Sequence, residues 1–368
     1  MYRFHLLLLL VFLVAFEVSA QLVKTVASLP EQLRENSGLA WHSPGKLYFI
    51  NDGGNPTEVY LYDTLTGGLQ SQFIGGVTNI DWEDLATDDN GNLFIGDIGN
   101  NGNNRRDLKI YKLKRNTMFQ GVAVGAELIT YTYENQTDYP PPANSLNFDC
   151  EAMLWFNDSI YLFTKNRTSP YDGWCYMYSL PDQPGDYVAK LRDSVQFPSG
   201  SMEVGWITAA DIKGDSLILL SSAQVHLVSG FQTKVLSGLS WESINVGFSQ
   251  KEALCFGRDH KTIYLSDEFN FIGNKLYKLL LGQSSNFIQD FYSETGISYS
   301  VSSSEFHLNL NKSVKGKLAI SDINGRSFVQ APFFTSMTLS GNDLPNQVYI
   351  VQLEADGWYQ EFRWAKTR

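Results

Sequence analysis

Five segments of the chain open alike: ENSGLAW at 35–41, DWEDLAT at 81–87, FDCEAML at 148–154, GWITAADI at 205–212 and QKEALCF at 250–256. Each sets a polar or acidic residue beside small and apolar ones and then runs through a turn into an apolar strand: KLYFINDGG, NLFIGDIGNN, SIYLFTKN, SLILLSS and TIYLSDE. A third strand follows most of them, as in EVYLYDT, LKIYKL, CYMYSL and KLYKLLL. A unit recurring at about 40 to 50 residues buries its apolar face only against copies of itself, so the repeat constrains the fold more than any other feature.

Strands rich in Tyr, Ile, Leu and Phe between Asn, Gly and Asp turns, with almost no helical periodicity, predict an all-β protein. Four-stranded units at such a period close most naturally into a β-propeller. Five starts predict five blades, with a sixth, degenerate blade as the alternative count. The strand LVKTVASLP at 22–30 precedes the first start, so it is expected to complete the last blade and close the ring, removing open sheet edges. Pro-rich insertions at ENQTDYPPPANS and LPDQPGDY read as surface loops.

After about residue 290 the pattern changes to short strands with hairpin turns, enough for a small C-terminal β-sandwich. At the other end, Arg3, an apolar run from Leu6 to Phe16 and the small-residue ending Val18-Ser19-Ala20 form a signal peptide. The expected organisation is therefore a signal peptide at 1–20, a propeller at 21–285 and a sandwich at 286–368, in a protein secreted or held at the cell surface by way of the periplasm. Cys150, Cys175 and Cys255 allow one disulfide within the chain and leave one thiol over. A formal charge of −11 with no basic stripe argues against a nucleic-acid partner. A monomer is expected.

In a propeller blade the start of the first strand and the end of the second share one face, at the mouth of the central channel. The pairs Ser37 with Asp52, Glu83 with Asp97, Glu151 with Lys165, Thr208 with Ser221 and Glu252 with Asp267 are therefore expected to ring one mouth. Carboxylates crowded in this way repel one another and call for a cation, and a hard divalent ion with oxygen ligands suits them. Calcium is the cofactor expected, with Glu83, Asp97, Glu151, Glu252 and Asp267 as candidate ligands and Lys165 as an internal counter-charge. Asp81 and Asp84 alternate about the strand with Glu83 and are expected in other environments. Each acid also has a purely structural reading, as a cap for backbone N–H groups.

The segment GDIGNNGNNRRDLKIY at 96–111 is the most distinctive loop. Asn100, Asn101 and Arg105, together with Asp52 and Asp211, are candidate ligand-binding residues for a small molecule or a glycan. Glu83, Glu151 and Lys165 are the candidate catalytic residues.

The segments ENSGLAW, NDGGNP, NIDWEDLATDDNGNLFIGDIGNNGNNRRDLKIYKL, FDCEAM, YLFTKN and ITAAD, over roughly 30–282, resemble a family of exported propellers from Bacteroidetes-type bacteria. More distantly, the acid-lined mouth is similar in plan to calcium-dependent propeller lactonases and phytases. The segments GKLAISDINGRSF at 316–328, LPNQVYIVQL at 344–353 and the ending RWAKTR resemble the sorting domain of the type IX secretion system, which implies that machinery as a partner. YSVSSSEFHL lacks the usual Pro-Asn-Pro start, and Gln347-Val348 stands where a Gly before Tyr349 is typical. The expected function is calcium-dependent hydrolysis of an ester, phosphoester or lactone. The competing expectation is a non-catalytic module binding a glycan or protein.

Overall fold

The computed structural model describes residues 22–197, 205–231, 235–236, 238–247, 249–269, 274–281 and most of 297–365. The signal peptide expected at 1–20 and the boundary expected at 285/286 lie outside the described residues. Among them no helix is long and apolar enough to cross a membrane.

The chain forms a five-bladed propeller. Blade one holds β2 (Asn36–Ser43), β3 (Lys46–Asn51), β4 (Glu58–Asp63) and β5 (Leu69–Gly75). Blade two holds β6 (Trp82–Thr87), β7 (Leu93–Asp97), β8 (Lys109–Leu113) and β10 (Glu127–Tyr133), and the short β9 (Val124–Gly125) pairs in parallel with β5. Blade three is β11 (Asp149–Trp155), β12 (Ser159–Lys165), β13 (Trp174–Pro181) and β14 (Gly185–Gln196). Blade four is β15 (Ile207–Lys213), β16 (Ser216–Ser221), β17 (Gln224–Ser229) and β18 (Ser240–Asn245). Blade five joins β19 (Lys251–Phe256), β20 (Thr262–Asp267) and β21 (Lys275–Leu280) to the N-terminal β1 (Leu22–Ser28), which is the outermost strand.

Closure follows from burial on both faces of each sheet. The innermost strands touch in the cyclic order β2, β6, β11, β15, β19 and back to β2. Each gap between neighbours is filled by one apolar cluster: Leu39, Phe49 and Tyr62 of blade one meet Ala253, Cys255 and Leu276 of blade five, and comparable clusters fill the other four gaps. Such strands read as near-continuous apolar runs, as KLYFIN does, because neither face meets water. Blades two and three are further fused where β10 and β14 pair in parallel. All three cysteines are buried as free thiols.

Below the mouth the ring is sealed by a carboxylate. Asp84 of blade two is fully buried, and its Oδ2 accepts backbone N–H bonds from Met153 of blade three (2.8 Å) and Ala210 of blade four (3.2 Å).

The C-terminal strands form two antiparallel sheets. One contains β22 (Ile297–Val301), β23 (Glu305–Leu310) and β26 (Met337–Ser340), and the other β24 (Gly316–Asp322), β25 (Ser327–Phe333), β27 (Val348–Ala355) and β28 (Trp358–Ala365). Leu308 and Met337 of the first pack with Leu318, Ile320, Val351 and Leu353 of the second, the core of a small sandwich.

Candidate functional site

The first strand of every blade carries a β-bulge at the same place. In blade two Trp82 pairs with Asp97 and Asp84 with Gly96, so Glu83 is the extra residue. The equivalent bulge residues are Ser37, Glu151, Thr208 and Glu252. A bulge re-aims the side chain it carries, and the five residues split by chemistry. Ser37 Oγ donates to the Trp82 carbonyl of the next blade (2.9 Å), and Thr208 Oγ1 donates to the equivalent Lys251 carbonyl (2.9 Å). Glu83, Glu151 and Glu252 have no such proton to give when ionised.

One step toward the mouth, a residue before the bulge lies opposite a residue of the second strand: Glu35 with Asp52, Asp81 with Ile98, Asp149 with Lys165 and Gln250 with Glu268. This register brings Asp52, Asp81 and Glu83 together, with one oxygen of each within 4.8 Å of the others. Asn79 sets the junction: its Nδ2 donates to the Asp52 carbonyl (2.8 Å) and its Oδ1 accepts the Trp82 N–H (3.1 Å). The backbone is drawn in tightly around the three acids. A Cβ on Gly53 would stand 2.6 Å from the Ile80 carbonyl and 2.8 Å from Asp81 Oδ1, and one on Gly99 would fall on the Glu83 and Asp81 carboxylates, 2.5 Å from Asp81 Cγ. Glu83 is only 8% exposed, and no hydrogen-bond donor reaches its carboxylate among the described residues. Burial, then Glu151 and Asp52, push its carboxyl well above the usual range. Asp81 is raised to about 6 by burial and then by Asp52 and Asp149. Asp52 is raised by burial, against the Gly53 N–H that it accepts.

Blade three presents a compensated group beside this trio. Glu151 is ion-paired to Lys165 Nζ and to Arg167 Nη2 (3.0 Å), and Arg167 Nε also holds Asp149 (2.7 Å). Asn101 accepts from Arg167 as well, and Trp206 lies under both cations, with its ring centroid 5.1 Å from Lys165 Nζ and 4.6 Å from Arg167 Cζ. Burial alone would lower the Lys165 ammonium, but Glu151 and Glu252 outweigh it and hold the group charged. Blade five adds Glu252, raised by burial, and Glu268, raised to about 7 by burial and then by Glu252 and Asp52.

Several residues expected at the site lie elsewhere. The structure does not bring Asp97 and Asp267 into the acidic group, because each sits one residue short of the mouth and turns into its blade. Asp97 is fully buried and bound by Arg105 (2.8 Å), while Asp267 accepts from Ser249 (2.6 Å) and Tyr277 (2.6 Å). Arg105 also donates to the Gly99 carbonyl (2.7 Å), so its guanidinium braces the loop from inside. Asn100 does likewise: its Oδ1 accepts the Asn104 and Arg105 N–H groups and its Nδ2 donates to the Phe148 carbonyl. Asp211 is half-buried in mid-strand, where it accepts the Ile212 and Phe256 N–H groups. Ser221 likewise sits one residue short of the mouth. Conversely, Asp81 faces the same site as Glu83 rather than another environment, because residues two apart share one face of a strand. Arg167, Glu268 and Asn79 were not among the candidates; Glu268 was recoverable from the second-strand ending SDE, read one residue further.

No family model matches the chain, and no curated protein matches it. Solved structures similar to it include the pyrroloquinoline-quinone-bound aldose sugar dehydrogenase of Streptomyces coelicolor, 9% identical over 71% of this chain and 98% of that one, with a TM-score of 0.40. PorZ, a surface component of the type IX secretion system of Porphyromonas gingivalis, is 13% identical over 90% of this chain and 45% of that one (TM-score 0.33). The gluconolactonase XC5397 of Xanthomonas campestris is 12% identical over 67% and 72% (TM-score 0.38).

Proposed function

We propose that the channel mouth is a divalent-cation centre held by Asp52, Asp81 and Glu83, and that calcium at this centre serves the hydrolysis of an ester, phosphoester or lactone. The observation that carries the reading is the buried Glu83 carboxylate, without a donor, aimed at two further carboxylates around glycines that leave no room for a side chain. The donor set fits a hard cation, since all three side chains offer oxygen and water can complete the shell. When bound, the ion would supply Lewis acidity and a hold on a ligand oxygen. Glu252 has no hydrogen-bond donor among the described residues and is the carboxylate left to take a proton, whereas Glu151 is held by Lys165 and Arg167. Lys165 and Arg167 present positive charge from blade three, beside the trio.

Export by a type IX route, with residues 1–20 removed and the C-terminal sandwich acting as the sorting signal, places this site at the cell surface. A chain truncated after residue 290 is expected to remain in the periplasm.

Calcium titration of chelator-treated protein, followed by calorimetry and thermal melting, tests the centre. One ion bound per chain and a raised melting temperature are expected. No heat and no shift would remove the proposal. The pairing of Glu151 with two cations also favours a second reading, a non-catalytic binding module, in which calcium binds but no ester is turned over.

A further inference from the structure

The charge of the whole mouth restricts what can enter it. Eight carboxylates sense one another there: Glu35 and Asp52 from blade one, Asp81 and Glu83 from blade two, Asp149 and Glu151 from blade three, and Glu252 and Glu268 from blade five. Among the described residues Lys165 and Arg167 are the cations that act on several of them, while Arg105, which also acts on Asp81, is ion-paired to Asp97, and Arg34 to Glu31. Fully ionised, the group has a surplus of six negative charges, and one divalent cation leaves four. A phosphoester would bring further negative charge into a partly buried, low-dielectric site. An uncharged molecule meets no such barrier.

Two apolar side chains stand among the polar ones on the rim next to the trio, one of them, Phe269, with the Arg34 guanidinium 4.0 Å from its ring centroid. Ile80, beside Asp81, and Phe269, beside Glu268, are each 44% exposed. They flank the turn that carries Asp52. On one side, Phe269 N–H donates to the Arg34 carbonyl (2.8 Å) while Asp52 N–H donates to that of Glu35 (2.8 Å); on the other, Gly54 N–H donates to the Asn79 carbonyl (3.4 Å). A Cβ on Gly54 would meet nothing within 4 Å, so the turn between the two side chains is open.

We infer that the ligand of the mouth is an electrically neutral ester or lactone that lays an apolar acyl group across the Asp52–Gly53–Gly54 turn, between Ile80 and Phe269. The inference rests on the proposed cation centre and narrows its substrate class. In the reaction, water adds to the carbonyl carbon, the acyl carbon–oxygen bond breaks, the alcohol oxygen leaves with a proton, and the acid product ionises. That product carries a new negative charge into a mouth that repels it, which favours its release.

The test uses the full chain loaded with calcium and three probes sharing one leaving group: para-nitrophenyl acetate, butyrate and phosphate. Butyrate is expected to be the best substrate and phosphate the worst. Replacing both Ile80→Ser and Phe269→Ser should lower kcat/KM for butyrate by about tenfold and for acetate less than twofold, with calcium affinity unchanged. Phosphate turned over as well as butyrate, or a butyrate-to-acetate ratio that survives both substitutions, would overturn the inference. If calcium binds but no ester is hydrolysed, calorimetry decides between a neutral probe, butyranilide, and a charged one, phenylphosphonate. Tighter binding of butyranilide supports the neutral class even when the hydrolase reading has failed; tighter binding of phenylphosphonate overturns it.

Discussion

Blades one and four differ from blades two, three and five at a single structurally equivalent residue. Where the bulge carries a hydroxyl, as at Ser37 and Thr208, the side chain staples its blade to the backbone of the next. Where it carries Glu83, Glu151 or Glu252, an ionised carboxylate faces that junction with no proton to donate. A hydroxyl staple of this kind contributes about 1 kcal/mol, and a buried, unpaired carboxylate costs stability unless something compensates it. Three of five blades therefore give up a stabilising contact at the mouth and replace it with a charge. Glu151 is compensated within the chain by Lys165 and Arg167. Among the described residues Glu83 has no ion-paired cation, and the two acids beside it make the deficit larger. The difference teaches that the bulge charge at Glu83, unlike that at Glu151, meets no paired cation among the described residues, which is the deficit the proposed ion would fill.

The largest test of that contrast is Gly99→Ala. The new Cβ would occupy the space of the Glu83 and Asp81 carboxylates and push both aside. Calcium affinity is expected to fall by about a hundredfold or more, corresponding to roughly 2.8 kcal/mol. Isothermal titration reads this directly, and an unchanged affinity would mean that the trio does not bind the ion.

Glu83→Gln should act less strongly and with opposite signs in the two states. Removing one negative ligand weakens calcium binding by about tenfold, near 1.4 kcal/mol, whereas without calcium it relieves repulsion and leaves stability unchanged or higher. The pH dependence follows the same logic. Asp81 and Glu83 have carboxyls raised in the folded chain, so the cation-free fold binds protons more readily than the unfolded chain. Its stability should rise as pH falls through about 6, the Asp81 value, toward the ordinary carboxylate range. With calcium the slope reverses, because the ion needs these groups ionised. Melting curves between neutral and mildly acidic pH, with chelator and with calcium, check both signs; parallel slopes would break the contrast.

The repeat itself was legible in the sequence. The five starts, the blade count, the N-terminal strand in the last blade and the equivalence of Glu83, Glu151 and Glu252 all follow from apolar periodicity and are found in the fold. What spacing could not convey was the bulge. One extra residue in each first strand shifts every pairing beyond it, so Asp97 and Asp267 fall short of the mouth while Glu268 reaches it. Asp81 lies beside Glu83 for a simpler reason, since residues two apart share one face of a strand. Arg105 and Asn100 looked available because loop residues carry no burial pattern, and only the folded loop reveals that both are spent on its own backbone.

The smallest effect is expected at the hydroxyl blades. Thr208 is buried, and its hydroxyl donates to the Lys251 carbonyl of the next blade. Thr208→Ala removes the hydrogen bond and a methyl group and should destabilise the chain by about 1 to 2 kcal/mol. Because no acid of the trio touches it, the loss should be the same in chelator and in calcium, with affinity for the ion changed less than twofold. Thr208→Ser keeps the donor and should recover the hydrogen-bond share of the loss. Denaturant melts of the three proteins in both conditions separate the contributions. A calcium-dependent loss at Thr208 would mean that the hydroxyl blades also serve the cation, and the division between stapled and charged bulges would have to be redrawn.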